Sequence, residues 1–160
     1  MKCYKFICLT TVLFAMSTLA QAQSGPCTGS QYSTNAEFFR ASASSQSGDA
    51  TASKKKATIT ARTTITNQIK AKAEMAAKSQ SKFSNEDSAQ FLELVQMVMQ
   101  QQGARLKVIC ENSQQTGGKY KTDVVVELAK AEVLAGIIAQ VKGNEKLKAV
   151  FEEGKFKQAF

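Results

Sequence analysis

The stretch that decides the fold runs from Ala104 to Leu128 and reads ARLKVICENSQQTGGKYKTDVVVEL. Two apolar runs flank Thr116-Gly117-Gly118, the pattern of a β-hairpin. On the first run Leu106, Val108 and Cys110 alternate with Lys107 and Glu111; on the second Val124, Val126 and Leu128 alternate with Asp123 and Glu127. A one-residue slip sends every side chain to the other face, so the loop length fixes which residues meet. A three-residue loop, Thr116 to Gly118, sets Cys110 against Val124 and Val108 against Val126, and gathers both apolar sets on one face. A two-residue loop would set Cys110 against Val125. The three-residue loop is the expectation, with Gly118 at positive φ, where glycine has no Cβ penalty. Ile109 and Val125 fall on the opposite face, which must therefore be partly covered too.

Upstream of the hairpin, Ser84 opens a helix as an N-cap. Glu86 and Asp87 suit the positive end of its dipole, and Phe91, Leu92, Val95, Val98 and Met99 form its apolar side. Gly103 ends it. Downstream, Val133, Leu134, Ile137, Ile138 and Val141 mark a helix over 130–142, stopped by Gly143. Asn144 caps a last short helix with Leu147, Val150 and Phe151. Phe156 and Phe160 stand in the tail, to dock or to fray.

Further toward the N-terminus, Phe39, Ala41 and Ala43 alternate with Phe38, Arg40 and Ser42 in a first strand, and Asp49 is placed to cap a helix beginning at Ala50. Residues 50–67 fit both periods. Ala50, Ala57, Ala61 and Ile65 form a helical stripe, yet threonines at 58, 60, 63, 64 and 66 weaken helix propensity. A strand over the whole segment would far exceed the usual roughly 5–6 residues. The reading is helix to about Asn67, then a strand with Ile69, Ala71, Ala73 and Met75 inward. The expected fold is α+β: a small mixed sheet with helices packed on one face, in the order β-α-β-α-β-β-α.

The first 22 residues read as an export signal. Lys2 and Lys5 precede the apolar run Ile7–Leu19, and Ala20-Gln21-Ala22 is a small-x-small cleavage site. Residues 23–35, rich in Gly, Ser, Thr and Gln, read as a flexible lead-in, and 36–156 as one α+β unit. Removing Lys2 and Lys5 takes the formal charge of the 160-residue chain from +8 to +6. That balance suits solubility or an anionic partner. Cleavage also leaves two cysteines, Cys27 and Cys110. They can close a disulfide in an oxidising compartment, or Cys110 can stand as an inert core thiol. The residues before Cys27 lack the apolar run of a lipid-attachment site.

The chain has no histidine and no tryptophan, which removes the usual parts of zinc sites and of serine–histidine or papain-like catalysis. No cofactor or metal site is expected. Glu111, Asp123 and Glu127 are the candidates for a carboxylate-only hydrolase, though as alternating strand positions they read first as solvated. Lys54, Lys55 and Lys56 are the candidate anion-binding cluster, for lipid headgroups or lipopolysaccharide. Lys119-Tyr120-Lys121 mixes basic and aromatic residues, but reads as a protected strand edge rather than a nucleic-acid site.

Several segments together resemble a known family. They are Phe38–Ser44, Lys54–Ala57 leading to Ala61-Arg62, Ile65–Ile69, Lys107–Glu111, Gly118–Lys121, Glu145–Lys148, Phe151 and Lys155-Phe156. Across roughly 36–156 the pattern is similar to the Lpp-twenty lipoproteins of bacterial envelopes, whose domain is similar to the N-terminal domain of the flagellar assembly protein FlgT. The resemblance implies an envelope protein with a helix-backed sheet, favours helix at 50–67, and carries over no active-site residue. The chain departs from that family in having no recognisable lipobox. The functional expectation is an exported, non-catalytic module of the periplasm or outer-membrane periphery. Its partner would be an envelope protein or cell-wall component, or an anionic membrane surface, and not nucleic acid.

Overall fold

A computed structural model describes residues 25–160, so the expected signal lies outside the described residues. Three antiparallel strands, β1 (Phe38–Ser47), β2 (Lys107–Thr116) and β3 (Lys119–Ala129), form one sheet in the order β1-β3-β2. Among the described residues five α-helices complete the α+β fold: α1 (Ala50–Ser79), α2 (Asn85–Gln102), α3 (Lys130–Lys142), α4 (Glu145–Val150) and α5 (Glu153–Ala159).

The strand expected over 69–75 is instead the C-terminal part of α1, so the sheet is antiparallel rather than mixed. The deciding pattern has period four. Ser53, Ala57, Ala61, Ile65, Ile69, Ala73 and Ala77 are buried, while Ala71 and Met75, expected inward on a strand, are exposed. Four residues turn a helix by about 400°, so such a stripe drifts round the helix by about 40° per step. It stays buried because the neighbours change along α1: the sheet first, then α2 and α5. The threonines are accommodated by their own hydroxyls. Thr60, Thr63, Thr64 and Thr66 each donate to the carbonyl four residues back, at 3.0–3.1 Å.

The hairpin also corrects the expected register. The turn has two residues, Gly117 and Gly118, both at positive φ (58° and 74°), and Thr116 faces Lys119. This is the type I′ geometry that matches strand twist. Cys110 consequently faces Val125, not Val124, and lies on the outer face. A bulge between Val108 and Cys110 then shifts the ladder by one residue and restores Val108 against Val126.

The helix-covered face of the sheet carries Phe39, Ala41, Val124, Val126 and Leu128, all buried in the core. Gly136 lets α3 close on α2: a Cβ there would lie 3.0 Å from Val98 Cγ1. The caps at Asp49, Ser84 and Asn144 form as expected, Ser84 and Asp87 making a reciprocal capping box. The tail docks. Phe156 is buried and meets Phe91 edge-on at 5.7 Å, and Phe160 meets Phe39 at 5.9 Å. Each such pair adds about 0.5–1.5 kcal/mol beyond area burial. A polar latch holds the same end: Gln80 Oε1 accepts from the Glu152 N–H at 2.7 Å, and Ser81 donates to the Glu152 carboxylate at 2.7 Å.

Candidate functional site

The outer face of the sheet is built by the segment expected to be a flexible lead-in. Residues 25–35 run along it, fixed at several points. Cys27 and Cys110 form a disulfide, with Cα atoms 5.6 Å apart. The slip that moved Cys110 outward is what lets it meet Cys27; an inert core thiol is thereby ruled out. Val125, facing Cys110, is fully buried on this side, which accounts for the covered outer face that the hairpin pattern required.

Arg40 is the second anchor. Its Nη2 lies 2.8 Å from Glu127 Oε2, its Nη1 donates to the Gln31 carbonyl at 2.7 Å, and its guanidinium stacks 5.0 Å from the Phe38 ring centre. Both partners of the pair are largely shielded, 15% and 16% exposed. Thr34 closes the β1 edge: its hydroxyl accepts from the Arg40 N–H and donates to the Arg40 carbonyl, where Gln68 Nε2 also donates. Asn35 accepts from the Glu37 and Phe38 amides. Sequence reading missed this set. The signal was present in Arg40 opposite Glu127, but it needs the β1–β3 pairing to be seen.

The three candidate carboxylates are not brought together. Glu111 shares the face of Val124 at the sheet edge and pairs with Lys54 at 2.8 Å. Asp123 and Glu127 are on the outer face, where four residues along a strand separate their Cα atoms by about 13 Å. Paired carboxylates in glycosidases stand roughly 5–9.5 Å apart. Asp123 lies 3.7 Å from Lys121 instead, and Glu127 is committed to Arg40. Among the described residues no group of three or more His, Cys, Asp or Glu could hold a metal ion.

The lysine cluster is split. Lys54 is engaged by Glu111, whereas Lys55 and Lys56 are exposed and about 100° apart round α1. Lys55 shares a shallow groove with Ile59 and Arg62, and Ile59 is 54% exposed. The groove, which Lys54 also lines, therefore sets Lys55 and Arg62 beside Ile59 rather than three consecutive lysines.

Shifted carboxylates lie on the helical side. Hydrogen bonds from Ser84 hold Asp87 below the ordinary aspartate value, with Lys146 adding charge attraction. The Ser81 hydroxyl and Lys155 lower Glu152; Lys157 and Lys142 lower Glu153. Asp87 secures the α2 cap, Glu152 the latch, and Glu153 ties α5 to α3 through Lys142, which makes all three structural.

No family model, curated protein or solved structure matches this chain.

Proposed function

We propose that this chain is an exported, non-catalytic interaction module of a bacterial envelope, docking on a protein or cell-wall partner. The observation that carries the reading is the Cys27–Cys110 disulfide, which anchors the segment directly after the expected signal to the sheet. Disulfides persist in oxidising compartments such as the periplasm. The dispersal of Glu111, Asp123 and Glu127 into separate ion pairs supports a non-catalytic role. The Lpp-twenty resemblance points to the same compartment. The test is expression in a bacterial host with the natural N-terminus, then fractionation, non-reducing electrophoresis and pull-down from envelope extract. An oxidised, processed chain in the exported fraction with a reproducible envelope partner is expected. A reduced, unprocessed cytoplasmic chain, or no specific partner, would refute the reading.

A second reading, attachment to an anionic membrane surface, is favoured by one observation: an exposed Ile59 beside Lys55 and Arg62. It predicts salt-sensitive sedimentation with anionic vesicles, lost in the Lys55→Glu/Arg62→Glu variant. Binding that survives added salt or that variant counts against it.

A further inference from the structure

We infer that the groove between α1 and α2 is a binding site for a small amphipathic cation, an alkyl chain ending in an ammonium group. The groove encloses about 410 Å³, within the roughly 300–1,000 Å³ of small-molecule sites. Its floor is apolar: Val95 and Met99 are buried and Leu92 is half-buried. Glu74 from α1 and Glu93 from α2 line its two walls, with Lys70 as the one cation lining it.

The state of those two carboxylates sets the site apart. All acidic side chains of the chain fall in the described residues. Asp49 caps α1, and all others but three lie within 4.0 Å of a cationic side chain among the described residues. The three are Glu37, Glu74 and Glu93, and two of them line this groove. In a chain of formal charge +8 this is a local reversal of sign. Two carboxylates against Lys70 select a cationic head, and the apolar floor selects an alkyl body.

The apolar hollow beside α3 makes the contrast. It is of similar size, about 420 Å³, but its lysines, Lys142 and Lys157, both bind Glu153, at 2.9 and 2.7 Å. Its charged end is neutralised within the protein and selects no headgroup.

The test is calorimetric titration of the purified protein with octyltrimethylammonium, octanoate and octanol, each below its micelle concentration. Saturable binding of the cation alone is expected. It should weaken about tenfold or more in the Glu74→Gln/Glu93→Gln variant, since the quaternary head has no N–H to donate and is held by charge attraction, which the two neutral amides no longer supply. Lys70→Gln should tighten it. Thermal melts of both variants check that the fold is kept. Equal binding of octanoate or octanol, cation binding indifferent to the double substitution, or no saturable binding would each overturn the assignment. The readout is direct binding, so it stands or falls separately from export and from any envelope partner.

Discussion

The two faces of the three-stranded sheet are held by different physics. The inner face is closed by apolar burial: Phe39, Val126 and Leu128 under the stripe of α1, extended through Phe91 and Phe156 to the tail. The outer face is closed by a short peptide that carries little apolar surface and is fastened by a disulfide, an ion pair and hydrogen bonds. A non-directional force can act between long helices and a sheet, because each buries a wide apolar stripe. An eleven-residue segment, 25–35, has no such stripe, and must be fixed by directed or covalent bonds.

The largest test of this contrast is on the inner side. Phe156→Ala removes a buried ring that bridges Phe91, Phe151 and Phe160. A loss of about 3–5 kcal/mol is expected, read by urea denaturation of the oxidised protein. A loss under about 1 kcal/mol would mean the tail contributes little to the core.

Next comes the outer side. The paired Cys27→Ser/Cys110→Ser variant removes a crosslink spanning 83 residues. It should cost about 2–4 kcal/mol and speed hydrogen exchange in residues 25–35, while α1 and β3 remain protected relative to global unfolding. Unchanged exchange in the lead-in would show that Arg40 and Thr34 alone suffice to hold it.

Arg40→Met separates those contributions. It leaves Glu127 half-buried without its cation, and about 1.5–3 kcal/mol is expected to be lost. In the disulfide-free background the two losses should not add, because both fasten the same segment.

A smaller effect tests the hairpin. Gly118 sits at φ 74°, so Gly118→Val should cost about 1–2 kcal/mol in chemical denaturation, whichever face is considered.

Acid is the gentlest probe and addresses the helical side. Asp87, Glu152 and Glu153 have folded-state values below their ordinary ones. Their stabilisation is therefore complete above the ordinary carboxylate range and disappears as pH falls through the lowered values. Melting temperatures should drop between about pH 5 and pH 2, and the drop should be shallower in Glu152→Gln. An equal slope in wild type and variant would remove Glu152 from the account.

The same contrast explains what could be read in advance. Alternation in Phe39, Ala41 and Ala43 and in Val124, Val126 and Leu128 marks one buried face, and that face formed as read. Asp49, Ser84 and Asn144 are local capping signals, and each caps its helix. The lead-in was only partly legible: the two cysteines offered a disulfide as one alternative, but the Gln31 carbonyl on Arg40 and the Thr34 hydroxyl on the β1 edge leave no mark in a polar composition. The candidate groove was illegible: Glu74 and Glu93 come from two helices, and their lack of a counter-charge depends on where every lysine lies.

By itself the sequence determined the α+β class, the hairpin, the helix starts capped by Asp49, Ser84 and Asn144, and the lack of histidine, because these depend on composition and on interactions within a few residues. Tertiary structure alone decided three things. It set α1 as a single helix of about 45 Å, since successive partners keep a drifting stripe buried. It set Cys110 on the outer face, since a two-glycine turn shifts the ladder by one residue, and the bulge beyond Cys110 then returns Val108 to Val126. And it decided which charges are neutralised, since Coulomb attraction at ion-pair range depends on distance in space and not on separation along the chain.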